Sequence, residues 1–158
     1  MRRSAPIGGA CELIPSEAES IPYDVFVSYR HGGQEAEWVR EFLVTRLAEA
    51  GLRVFLDVDC FRLGAPLVTE IARGVEQSRH TLAVLSPAYL ESEFTLLESV
   101  LAEHLGLEQA ERRLLAVRRV TCRPRLGIRA RLWLEMTDDE EVDRALPRLI
   151  AALSSPRS

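Results

Sequence analysis

Thr81-Leu-Ala-Val-Leu-Ser-Pro-Ala-Tyr-Leu-Glu-Ser-Glu-Phe-Thr-Leu-Leu-Glu98 carries a short apolar run, a Ser-Pro turn and the start of a helix in one stretch. Thr81 to Leu85 reads as a strand with apolar character on both faces, which suits the interior of a sheet covered on both sides. The segment from Glu91 to Leu105 reads as an amphipathic helix. With about 100° between successive residues, Phe94, Leu97, Leu101 and Leu105 form one stripe, and Glu98 falls inside it. A charge among core-directed side chains must be desolvated or must line a cleft, and both situations are commoner at working sites than on plain scaffold. The plain alternative is a glutamate at the stripe's edge whose carboxylate reaches water.

The same strand-then-helix unit recurs along the chain, without internal repeats or low-complexity tracts. Further strands are expected at Tyr23 to Ser28, Arg53 to Leu56, Leu114 to Val120 and Arg131 to Leu134. Helices are expected at Gln34 to Ala50, closed by Gly51, at Pro66 to Gln77, and at Asp139 to Leu153 with a kink at Pro147. A further helix is expected between Arg123 and Arg129. This alternation predicts an α/β fold: a parallel sheet with helices on both faces. Right-handed crossovers then gather every strand-to-helix loop at one edge of the sheet, where ligands of such folds bind.

Composition narrows the class. The 158 residues suit one domain, and a 47% hydrophobic content supplies a core. The expected organisation is a flexible leader over residues 1–21, a domain over 22–153 and a flexible tail over 154–158. A net charge of −4 argues against a nucleic-acid binder. Cys11, Cys60 and Cys122 are odd in number and lack metal-ligand spacing, so neither a disulfide framework nor a zinc site is expected, and a reducing cytoplasm fits best. No run approaches the roughly 18 apolar residues needed to span a bilayer. No signal peptide is expected at the start, and no metal or cofactor is expected anywhere.

Four loops meet at the ligand edge: Tyr29 to Gln34, Asp57 to Pro66, Ser86 to Glu91, and the segment after Val120. The first places Tyr29, Arg30, His31, Gly32 and Gly33 ahead of a helix, where free N–H groups and a guanidinium can hold a phosphate. A plain turn with a solvated arginine explains the same residues, and alone they favour it. A phosphorylated receiver needs acidic residues where this chain has Ser28-Tyr29-Arg30 and Ser86-Pro87. An α/β hydrolase needs a GxSxG elbow, which is absent, and His31, His80 and His104 have no matching nucleophile. His80 and His104 read as scaffold.

Four segments in order, Tyr23-Asp-Val-Phe-Val-Ser-Tyr-Arg30, Gly51-Leu-Arg-Val-Phe-Leu-Asp57, Arg62-Leu-Gly-Ala-Pro-Leu67 and Ser86-Pro-Ala-Tyr-Leu-Glu-Ser92, resemble the boxes of a TIR (Toll/interleukin-1 receptor) domain. The resemblance runs from about Tyr23 to Leu153. It implies a flavodoxin-like three-layer fold with a five-stranded parallel sheet. It also implies that Val58 to Pro66 is the BB loop, with Phe61, Arg62, Leu63, Gly64 and Pro66 available for TIR–TIR self-association.

Enzymatic members of the family cleave NAD+ and carry a serine, an aromatic and, four residues beyond it, a glutamate after the third strand. Ser92, Phe94 and Glu98 match. Adaptor members commonly lack the glutamate, so the resemblance makes Glu98 the catalytic candidate. Phe94 stands where tryptophan is usual and Thr95 where cysteine is common. The resemblance further implies that Tyr29, Arg30, Asp57 and Phe94 bind substrate. For Tyr29 and Arg30 turn closure is the plain alternative, for Asp57 capping, and Gly64 reads as a turn residue. The expected function is an NAD+ glycohydrolase releasing nicotinamide and ADP-ribose or a cyclic isomer, activated by self-assembly, with a fused or associated sensor module, in bacterial antiviral defence or cell death. The competing function is a non-enzymatic TIR–TIR signalling adaptor. Arg123, Arg125, Arg129 and Arg131 read as a solvated basic segment or as assembly contacts. Cyclic-nucleotide or nucleic-acid chemistry has no support from the charge. Activity is expected to fall on the acid side as Glu98 protonates.

Overall fold

A computed structural model describes residues 21–32, 34–124 and 133–154, with the side chains of Val58, Asp59 and 104–112 excepted. Apolar residues on alternate sides of each strand build two cores, one on each face of the sheet. β1 (Tyr23–Ser28) sends Val25 and Val27 into one core and Tyr23 and Phe26 into the other. It pairs in parallel with β2 (Val54–Phe55) and with β3 (Ser78–Leu85). β4 (Leu114–Arg118) and β5 (Leu134–Glu135) extend the sheet, giving the order β2-β1-β3-β4-β5, all parallel.

The first core is closed by the helix that follows β1 and by α6 (Asp139–Ser154). α1 runs through Gln34–Trp38, a π-helical turn at Val39–Leu43, and Val44–Glu49. The second core is closed by α3 (Leu67–Glu76), α4 (Pro87–Glu91) and α5 (Glu93–Arg113). α2 (Asp57–Cys60) is a single helical turn leaving β2. The layers are thus helix, sheet, helix, the fold class expected from the strand-helix alternation.

Several boundaries differ from the sequence reading. The helix expected from Glu91 to Leu105 is two, because Ser92 leaves helical geometry at φ −132, ψ −85. β3 begins at Ser78, so His80 lies buried within the strand, paired in register with Val25, instead of preceding it. β5 starts at Leu134, and α6 continues through Pro147. The helix expected between Arg123 and Arg129, together with Arg125, Arg129, Arg131, the leader to residue 20 and the tail from 155, lies outside the described residues, as does the side chain of His104. Cys60 is disulfide-bonded while Cys122 is a free buried thiol. An odd count excludes a fully paired framework but leaves room for a single bridge. No helix among the described residues is long and apolar enough to cross a membrane.

Candidate functional site

The strand order reverses between β1 and β3: the chain moves from β1 to one neighbour, β2, and later returns to the other. The loops leaving β1 and β3 therefore diverge and leave a crevice at the carboxyl end of the sheet. Of the sequence-derived candidates, Tyr29, Arg30, Asp57 and Phe61 gather there.

Tyr29, 1% exposed, donates its hydroxyl to Asp57 Oδ1 and accepts from Arg40 Nε at 2.7 Å. Burial and the Asp57 carboxylate push the Tyr29 phenol above its ordinary range, against the opposing pull of Arg40. Asp57 Oδ2 also lies 3.3 Å from His31 Nε2, and the His31 ring stands edge-on to Tyr29 and Phe61. The π turn of α1 carries Arg40, and the guanidinium also rides 5.4 Å from the centre of the Tyr29 ring. Such turns concentrate at functional sites.

Arg30 crosses the crevice, its Nη1 donating to Ser92 Oγ at 2.9 Å and Glu93 Oε1 at 3.3 Å. Burial pushes the Glu93 carboxyl up, but the Ser92 hydroxyl, its own backbone N–H and Arg30 together hold it below its ordinary value. Ser86 donates to Glu35 of α1 and accepts from the Tyr89 N–H, fastening the β3 loop to the first helix. Tyr89, fully buried, donates to Ser28 Oγ at 2.8 Å at the end of β1. Burial raises the Tyr89 phenol; the Ser28 hydrogen bond opposes this, and the charges of Glu93 and Glu98 add to it.

Glu98 is half-buried on α5, with Phe94, Leu97 and Leu101 of the same stripe fully inside. It thus stands at the edge of the apolar stripe, near enough for its charge to act on Tyr89. Phe94 is 0% exposed with its ring against Tyr89 at 5.8 Å between centroids. It presents no open face in this conformation, because α5 packs it into the second core.

The BB-loop residues divide by role. Phe61 packs near Phe26 and Phe55. Arg62 binds Glu70 through its backbone N–H at 2.9 Å and its guanidinium at 2.7 and 3.0 Å. Glu70 also takes Arg73 at 2.8 Å, and Arg73 in turn donates to the Cys60 carbonyl. Burial pushes the Glu70 carboxyl up, yet the Arg62 and Arg73 guanidiniums prevail and hold it at about 2. Gly64 sits at φ +83, a conformation that costs glycine nothing, and Pro66 precedes α3 with extended geometry. Between Arg62 and Gly64 the side chain of Leu63 is wholly exposed.

The cavity lined by Tyr29, His31, Asp57, Phe61 and Glu93 measures about 10 Å³, room for about one water. Larger clefts, about 370 Å³ beside Glu35, Trp38 and Arg119 and about 450 Å³ beside Trp133 and Arg148, share none of these lining residues. The crevice is closed by its own polar pairs. Among the described residues no His, Cys, Asp and Glu cluster is arranged to hold a metal ion.

Sequence reasoning passed over Arg40, Glu70 and Glu93. Glu70 carried a usable signal, because it neighbours Ile71, Gly74 and Val75 on the buried side of α3, as Glu98 does on α5. Arg40 carried none, since a π turn leaves no mark in the spacing.

A profile described as TIR domain matches residues 25–150. The chain belongs to the TIR domain family. Among its relatives, a probable 2' cyclic ADP-D-ribose synthase, BdTIR, of Brachypodium distachyon is 38% identical over 76 residues, covering 48% of this chain and 34% of that protein. The NAD(+) hydrolase TirS of Staphylococcus aureus is 35% identical over 77 residues, covering 49% of this chain and 27% of that protein. The chain spans about a third or less of the length of these curated relatives. The crystal structure of the TIR domain of the Toll-related receptor TRR-2 from Hydra magnipapillata superposes with a TM-score of 0.70 at 21% identity, covering 84% of this chain and 99% of that one. At that identity the likeness is one of TIR fold.

Proposed function

We propose that this TIR domain cleaves the nicotinamide–ribose bond of NAD+, releasing nicotinamide and ADP-ribose or a cyclic isomer. The observation that carries the reading is Glu98: a half-buried carboxylate at the edge of the α5 stripe, near enough to act on Tyr89, whose hydroxyl bonds Ser28 at the end of β1. Two relatives whose names describe NAD+ hydrolysis and cyclic ADP-ribose synthesis support it.

The chemistry asks little of the protein. Nicotinamide leaves a cationic pyridinium as a neutral molecule, so no acid has to protonate it. As the bond stretches, positive charge grows on the ribose, and an ionised Glu98 beside the sugar stabilises it. Capture of that cation by water gives ADP-ribose, and capture by a nitrogen or hydroxyl of the same molecule gives a cyclic product. Arg30 suits the pyrophosphate, Tyr29 and Asp57 line the crevice, and Phe94 supports α5 from within. No cofactor beyond the substrate takes part.

Substrate entry requires the crevice to open, and self-association through Phe61, Arg62, Leu63, Gly64 and Pro66 is the event that opens it. A fused or associated sensor would concentrate the domain, in a defence or cell-death response. The exposed Leu63 also supports the second reading, an adaptor that only recruits other TIR domains.

The test is NAD+ consumption by the domain on an oligomerising scaffold, with Glu98→Ala beside it and products resolved. Nicotinamide release by the parent alone is expected. An assembled, folded parent that leaves NAD+ intact sinks the enzymatic reading in favour of the adaptor.

A further inference from the structure

The crevice between the β1 and β3 loops is where an anionic dinucleotide would enter, and Arg30 is the guanidinium that crosses it. That guanidinium is already engaged. Its Nη1 reaches Ser92 Oγ at 2.9 Å and Glu93 Oε1 at 3.3 Å on the opposite wall. The pair sits at a mouth that is neither dry nor open, with the Arg30 side chain 39% exposed and that of Glu93 17%. The same Glu93 oxygen also meets the Ser92 hydroxyl, whose one proton is shared between that oxygen and the Ala88 carbonyl. Glu93 also walls the cavity shared by Tyr29, His31 and Asp57, whose volume of about 10 Å³ admits no part of a nucleotide. A planar guanidinium favours two-point contact with phosphate oxygens, and a carboxylate oxygen occupies the same donors.

We propose that Glu93 is a positioning residue acting through Arg30: its carboxylate occupies the guanidinium that the substrate's pyrophosphate must take over, so Glu93 governs substrate affinity more than bond cleavage. This rests on the NAD+ reading and adds to it an internal competitor for the substrate. Glu93 contributes nothing to the charge growing on the ribose, the task assigned to Glu98. Removing its charge frees the Arg30 guanidinium for the phosphates.

The experiment is an NAD+ titration of the scaffold-assembled parent, Glu93→Gln, Glu93→Ala, Arg30→Gln and the Arg30→Gln/Glu93→Gln double variant. Both Glu93 variants are expected to lower KM by about five-fold, the scale of a part-exposed ion pair, with a smaller change in kcat. In the Arg30→Gln background the gain is expected to vanish, an outcome that a general loosening of α5 would not produce. An unchanged or raised KM, or an equal gain without Arg30, overturns the proposal. Calorimetric titration with ADP-ribose reads the same coupling without turnover. Tighter ADP-ribose binding by Glu93→Gln in a protein that leaves NAD+ intact keeps the competitor and removes the hydrolase. Turnover that depends on Glu98 with no response to Glu93 keeps the hydrolase and removes the competitor. Failure of both proteins to bind ADP-ribose, without turnover, removes both.

Discussion

Asp57 gathers the Tyr29 hydroxyl and the His31 imidazole onto one buried carboxylate, and Arg40 closes the chain from behind. Tyr29 and Asp57 are buried and satisfy each other, while His31 and Arg40 reach the rim. Tyr29→Phe removes the central hydroxyl without creating a cavity and leaves both Asp57 and Arg40 short of a partner. The expected loss is about 1 to 3 kcal/mol in urea unfolding, the cost of unsatisfied buried polar groups. A midpoint equal to the parent's would mean that water replaces the hydroxyl. Glu98→Ala is expected to act on the other axis. Turnover should fall by about a hundred-fold or more, the scale of losing one preorganised charge, with the unfolding midpoint little moved. An equal fall in stability would make Glu98 part of the scaffold.

The BB loop is held by Phe61 among the buried aromatics and by Arg62 on Glu70. Glu70, 1% exposed, receives the backbone and side chain of Arg62 and the side chain of Arg73. Its carboxyl is lowered from 4.5 to about 2 in the folded chain. A lowered carboxyl contributes stability that is present above its unfolded value and is lost as pH falls through the folded one. The stability difference between the parent and Glu70→Gln should therefore be full above pH 4.5 and shrink towards pH 2. Loop release gives a second readout. Trypsin should cut after Arg62 faster in Glu70→Gln than in the parent at neutral pH, and equal rates would show that Phe61 alone holds the loop.

For the molecule as a whole, the crevice is closed while the Leu63 tip stands in solvent. If assembly opens the site, specific activity should rise with protein concentration and not stay constant. Leu63→Glu should weaken self-association in sedimentation, lower specific activity at high concentration, and leave the thermal midpoint of the monomer within about a degree, since the side chain buries nothing there. Activity independent of both concentration and Leu63 would mean that each domain opens by itself.

The sequence alone determined the order of strands and helices, their parallel arrangement and the family. Strands covered on both faces must be apolar throughout, and helices must keep a stripe, so both leave periodic marks. It also drew attention to Glu98 as a charge among apolar positions, and the structure sets that carboxylate at the stripe's edge. It did not reveal the break at Ser92, the π turn beneath Arg40 or the start of β5, where local geometry changes without a change of period. Only the tertiary structure decided which polar groups meet. Tyr29 and Asp57 are 28 residues apart, and Arg30 and Glu93 are 63 apart. Periodicity tells which side of its own element a residue faces. Parallel strands bring the loops after β1, β2 and β3 to one edge, and the order β2-β1-β3 decides which of them adjoin, setting Arg30 against Glu93.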